Sequence, residues 1–229
     1  FKTGDIGQLM EDRSVKIIDR KKFVFKLQQG EYISPSRVEG IFMESNMIEQ
    51  IFIHGDMDKS YLLAIVVPKK QLGTEQIDEL KKNIQTAIFS IARRKKLPSY
   101  KVPHDIYLET DTVFTAENNL LTPSLKLNRP YLLKKYREVL NTLSENIDRN
   151  DKQLEHQLSN LVSSVLNKQV ESIDNFTQIG GDSISAIRLI EVIKRSYNVE
   201  ISKQELFKES FLKNIADHIK NRHLPSESS

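Results

Sequence analysis

The chain contains no cysteine. Disulfides and thiolate zinc clusters are excluded, and any thiol chemistry must come from an added group. No apolar run approaches the roughly 18 residues of a membrane span, and the N-terminus lacks a secretory signal pattern. A cytoplasmic location with no membrane partner is the default that follows. The formal net charge is only +3, too small to imply a nucleic-acid partner. The basic run Arg93-Arg94-Lys95-Lys96 has no aromatic or glycine-rich platform beside it, so no nucleic acid is expected there either. The five histidines are scattered, and His218 and His223 lack a ligand spacing with acids nearby, so no metal site is expected. Internal repeats are absent as well.

What is present is ordinary for a soluble globular protein: 229 residues, 38% hydrophobic and 28% charged. That length suits one large domain or two small ones. The first 150 residues hold the excess of positive charge and the remainder is close to neutral, which suggests two units with different tasks. Phe1-Lys2-Thr3-Gly4-Asp5 has no helix or strand before it, so the chain is expected to be a piece of a longer protein.

Short β-prone runs, Val15-Lys16-Ile17-Ile18 and Phe23-Val24-Phe25, flank the charged corner Asp19-Arg20-Lys21-Lys22. Ser34-Pro35 has the chemistry of an N-cap followed by proline and predicts a helix over 36–44, with Val38, Ile41 and Phe42 inward. Strands are expected at 48–53, 61–67 and near 106–108. Ile77, Leu80, Ile84, Ile88 and Ile91 recur at helical spacing and predict a helix over 74–92. A second helix is expected over 130–143. These elements make a small α+β unit over residues 1–143.

Residues 144–151 are polar and free of glycine and proline, and read as a short linker or as an extension of the preceding helix. Beyond them the pattern is all-α. Helices are expected over 152–166, 183–197 and 211–222, with a short turn at 203–207, giving a four-helix bundle over 152–224 and a tail at 225–229.

Gly180-Gly181-Asp182-Ser183 is the most informative stretch. Two glycines allow a tight turn and a close approach, and Ser183 then falls at a helix start, where unpaired N–H groups favour a phosphate. Taken alone, the tetrapeptide equally describes a capping serine after a glycine loop. Its surroundings are more specific. Asp174-Asn175-Phe176 before it, and Ile187, Leu189-Ile190, Val199-Glu200-Ile201 and Leu206-Phe207 after it, resemble the carrier domains of peptide-synthetase-like systems. The resemblance implies that a phosphopantetheinyl transferase attaches 4′-phosphopantetheine to Ser183 and that the arm's thiol carries an acyl group as a thioester. It further implies recognition roles for Asp182 and Ile184, although Ile184 alone could be core.

The first unit resembles the C-terminal subdomain of adenylate-forming enzymes. Phe1-Lys2-Thr3-Gly4-Asp5 matches a motif whose aspartate binds the ribose hydroxyls of ATP, which makes Asp5 the candidate. A carboxylate suits that role because it accepts two hydroxyl hydrogen bonds. The sixteen residues from Ile18 to Ile33 match the segment joining the two subdomains. By resemblance Arg20 contacts the nucleotide, Lys22 is the hinge and Gly30 lies in a swinging loop. Leu120-Leu121-Thr122-Pro123-Ser124-Leu125-Lys126-Leu127-Asn128-Arg129-Pro130 matches the last motif, which by resemblance makes Lys126 the mobile catalytic lysine. Its ammonium would offset charge developing between carboxylate and α-phosphate. Many relatives have glycine where this chain has Leu125, a departure that points to the long-chain acyl-CoA synthetase and carboxylate-reductase branch.

The implied reaction has two steps: carboxylate and ATP give acyl-adenylate and pyrophosphate, then a thiol gives thioester and AMP. Magnesium would accompany ATP. The partners implied are an N-terminal adenylation subdomain and a downstream NADPH-dependent reductase domain, as in carboxylic acid reductases. The rival readings are a loading module of a peptide or polyketide assembly line and a non-catalytic scaffold that keeps the carrier fold. Intact Ser183 and Lys126 argue against the scaffold.

Overall fold

The computed structural model describes residues 3–69, 77–208 and 211–222. The start of the helix expected from residue 74, the first two residues and the 225–229 tail lie outside them. The chain divides into two compact units, Phe1–Ser144 and Glu145–Ser229.

The first unit is built on a three-stranded sheet of order β5-β6-β7, with β5 at Ile48–Gly55, β6 at Leu62–Pro68 and β7 at Pro103–Leu108. β5 runs antiparallel to β6 and β7 runs parallel to it, the crossover being supplied by helix α2 at Ile77–Arg94. The central strand is buried on both sides, which is why Leu62-Leu63-Ala64-Ile65-Val66-Val67 reads as an unbroken apolar run instead of alternating. Helix α1, Pro35–Phe42, packs on β5, while α2 packs on β7. Leu80, Ile84, Ile88 and Ile91 are inward as their spacing requires, but Ile77 is exposed. The start of helix α3, Arg129–Leu166, lies over the other face. Tyr136 meets Tyr107 of β7 and Phe114, and Arg129 lies over the ring of Phe52 in β5.

Two small ribbons complete this unit. β1, Asp5–Leu9, pairs antiparallel with β2, Val15–Arg20, and β3, Phe25–Lys26, pairs with β4, Tyr32–Ile33. The 109–128 segment is pinned by side chains. The buried Glu109 accepts hydrogen bonds from the N–H groups of Asp111 and Thr112 and from the Tyr136 hydroxyl, and Gln50 exchanges two with the backbone of Phe114.

Helix α3 runs without a break through 144–151 and into the second unit. A stretch with no glycine or proline offers the helix no stop signal. In the second unit Leu158 and Val162 of α3 bury against α4, Ser183–Tyr197, the short α5, Lys203–Lys208, and α6, Leu212–Arg222. Phe176 lies in the long loop before α4, fully buried and edge-on to Phe207 at 6.2 Å. Helix α4 ends at Asn198 in the left-handed conformation. The architecture is the expected one: a small mixed α/β unit followed by a helical bundle.

Candidate functional site

Asp5, Arg20, Lys22 and Lys126 come from four separate points of the sequence, and all four line one cleft of about 700 Å³ in the first unit. The β1–β2 register sets Asp5 opposite Arg20, and the two side chains form a partly exposed ion pair at 3.6 Å. Such a pair contributes little to stability, so either partner is free to exchange it for a ligand. Lys22 sits in the turn after β2, exposed, with its ammonium 4.8 Å from the ring of Phe23.

Lys126 stands on a tight loop closed by a bridge between Leu121 and Leu127. The Thr122 N–H donates to the Lys126 carbonyl at 2.7 Å, and the Thr122 hydroxyl accepts from the Lys126 N–H at 3.2 Å. The residue before the lysine, Leu125, has φ +58°. Glycine would enter this left-handed region freely, whereas leucine is strained there.

Behind these residues lies a polar network that motif reading did not pick out. Arg129 forms a two-pronged ion pair with Glu39, at 3.0 and 2.5 Å, and both side chains are buried. Glu39 also accepts the N–H of Ile53 at 2.8 Å. Burial pushes its carboxyl above the usual carboxylate range, and the Arg129 guanidinium opposes that shift. Asp19, likewise buried, accepts from the Ser34 and Ser36 hydroxyls and from the N–H groups of Arg20 and Ser36. Ser34 was expected to cap α1, but its hydroxyl points to Asp19, and Asp19 takes the free Ser36 N–H in its place. Glu39 had one visible signal: a carboxylate beside Val38 on the inward side of a short helix.

In the second unit Ser183 is the first residue of α4 and not its cap. The cap is Asp182, whose carboxylate accepts from the N–H groups of Ile184 at 3.0 Å and Ser185 at 2.8 Å, while the Ser185 hydroxyl accepts the Asp182 N–H. Hydrogen bonds from Ser185 hold the Asp182 carboxyl below the usual range. Two of the N–H groups expected to be open to a phosphate are therefore occupied. The Ser183 side chain itself is exposed, as is Ile184 at 64% of its surface, so Ile184 is not core. The two glycines act differently from each other. Gly180 has φ +101°, and any side chain on Gly181 would collide with the carbonyl and ring of Phe176. The close approach at Gly181 is thus to the protein's own loop.

Two family models match the chain: "AMP-binding enzyme C-terminal domain" over residues 37–115 and "Phosphopantetheine attachment site" over 156–219. This chain joins an AMP-binding C-terminal domain to a phosphopantetheine carrier domain. A carboxylic acid reductase of Mycobacterium tuberculosis is 34% identical over 237 residues, covering 96% of this chain and 20% of that protein. Long-chain-fatty-acid–CoA ligase 6 of Mus musculus is 37% identical over 156 residues, covering 62% of this chain and 22% of that protein. The A-PCP didomain of a carboxylic acid reductase from Segniliparus rugosus, solved in complex with AMP, matches with a TM-score of 0.63 and 28% identity. That match covers 96% of this chain and 33% of the other. The chain thus spans about a fifth of the length of the curated relatives it matches. Ser183 falls inside the span matched by the attachment-site model, whereas the four cleft residues of the AMP-binding domain lie outside the 37–115 span. Among the described residues no cluster of three or more metal-ligating side chains occurs, and no helix is long and apolar enough to cross a membrane.

Proposed function

We propose that this chain works within a multidomain, cytoplasmic carboxylic acid reductase, in which an acid is activated with ATP, loaded on the chain's own carrier and reduced to an aldehyde. The observation that carries the reading is the gathering of Asp5, Arg20, Lys22 and Lys126 around one cleft, in a chain that also presents an exposed serine on a carrier domain. In this reading Asp5 accepts the ribose hydroxyls, and Arg20, released from Asp5, contacts the nucleotide. The Lys126 ammonium offsets negative charge while the carboxylate attacks the α-phosphate.

The geometry around Ser183 fits a prosthetic arm in one respect and limits it in another. The hydroxyl is open to a transferase, but Asp182 occupies the neighbouring N–H groups, so the phosphate is held by its covalent bond and not by a cradle. The bound phosphopantetheine would supply the thiol that receives the acyl group. Asp182 and Ile184 are offered to the transferase and to partner domains. A phosphopantetheinyl transferase, an N-terminal adenylation subdomain and an NADPH-dependent reductase domain complete the reading. Magnesium would enter with ATP.

Intact-mass measurement after incubation with coenzyme A and a broad-specificity transferase tests the carrier assignment. One arm should be added to the wild-type chain and none to Ser183→Ala. An arm that still appears on the alanine variant, or none on the wild type, sinks the assignment.

A further inference from the structure

We propose that Arg129 is a positioning residue for Lys126, clamping the lysine loop and the hinge turn to one buried anchor on helix α1. The inference rests on the adenylation reading of the cleft. Arg129 follows Lys126 by three residues at the start of α3, and it is almost wholly withdrawn from solvent. Its two terminal nitrogens bind both oxygens of Glu39, and one also donates to the Ser36 hydroxyl at 3.2 Å. Its guanidinium lies 5.5 Å from the ring of Phe23, beside the hinge residue Lys22, and 5.8 Å from that of Phe52. Ser36 in turn donates to Asp19, which accepts the N–H of Arg20. One guanidinium therefore touches, directly or through a single hydroxyl, the segments that carry Arg20, Lys22 and Lys126.

Stability does not account for this arrangement. A buried ion pair contributes little over an apolar pair of the same volume, because desolvation of both charges offsets their attraction. A planar fork does provide direction: two parallel hydrogen bonds fix the orientation of the group as well as its place. Lys126 is exposed on a loop with strained backbone at Leu125, so its aim depends on how firmly the loop's far end is held. Misplacing a reacting group by about 1 Å costs on the order of 10² in rate.

The test uses the full-length enzyme that contains this chain and follows the half-reactions separately, as pyrophosphate exchange and as transfer from a supplied acyl-adenylate. Lys126→Ala is the control for the cleft assignment; if it leaves pyrophosphate exchange intact, the adenylation reading itself fails. Given that control, the paired substitution Arg129→Met with Glu39→Gln removes the fork while keeping side-chain volume and an acceptor for the Ile53 N–H. The expected result is a melting temperature close to wild type, an adenylation kcat lower by about 10²-fold, little change in KM for ATP and normal acyl transfer. A folded double variant with wild-type adenylation overturns the proposal, and so does equal loss of both half-reactions. If the double variant does not fold, Arg129→Lys decides, since lysine keeps the charge and loses the fork. A selective fall in adenylation of about tenfold or more, the least that a misaligned group should show, supports positioning. A smaller effect or a non-selective one refutes it.

Discussion

Leu125 is the residue at which local energetics and sequence context disagree most openly. It adopts φ +58° with 74% of its surface exposed, so it bears backbone strain and recovers little by burial. The left-handed conformation costs an L-residue roughly 1–2 kcal/mol, and glycine gives back about 0.5–1 kcal/mol through the freedom it gains in the unfolded chain. Leu125→Gly should therefore stabilise the AMP-binding domain by about 0.5–1 kcal/mol, read as a higher urea midpoint for that domain. A lower midpoint would mean that the leucine makes a stabilising contact that offsets its strain. The same loop shows why only part of the cleft was legible beforehand. Lys126 and Asp5 stand in motifs, whereas the partner of Arg129 lies 90 residues away and no local spacing announces it. The position of Glu39 beside Val38 hints at burial, but its pairing with Arg129 and the bonds of Asp19 arise only when tertiary packing brings α1, β2 and the start of α3 together.

At the scale of elements, short apolar runs bounded by polar turns located the strands β5 to β7, and helical periodicity located the helices wherever an apolar face is buried. Helix α4 begins at Ser183 and ends at Tyr197, as its apolar spacing and the left-handed Asn198 dictate. Strand β1 was not legible. Asp5-Ile6-Gly7-Gln8-Leu9 has one β-branched residue, and its extended form comes from pairing with β2. The run at 144–151 was open between linker and helix because Ile147 is the one fully buried side chain in it, too little for a periodic signal. Its helical state gives a direct test. Asn146 is exposed inside α3, and proline there would remove a backbone hydrogen bond and clash with the preceding turn. Asn146→Pro should cost about 3 kcal/mol and lower both far-UV helicity and amide protection over the flanking turns. A flexible connector would tolerate the substitution with neither change.

At the scale of the whole molecule, the proposed activity asks one chain to serve two half-reactions that need different neighbours around the same adenylate. In that proposal Lys126 acts while the carboxylate attacks the α-phosphate, and it would then give way to the thiol arriving on the carrier. Tethering that thiol to the same polypeptide raises its effective concentration, so a modest conformational step can deliver it. Lys22, exposed in the turn between β2 and β3, is where such a step would pivot, as hinges commonly use a few loop residues that absorb the backbone change. In the full-length enzyme Lys126→Ala should slow adenylate formation by about 10²–10³, the usual cost of losing one preorganised electrostatic group. Transfer from a supplied acyl-adenylate to the arm on Ser183 should be nearly unchanged. Lys22→Pro should show the opposite pattern, because proline fixes φ and restricts the pivot while leaving Lys126 in place for the first step. Pyrophosphate exchange and acyl transfer, measured separately on both variants, decide the matter. If each variant impairs both steps to the same degree, the two steps do not use alternating arrangements of this domain and the hinge assignment of Lys22 falls.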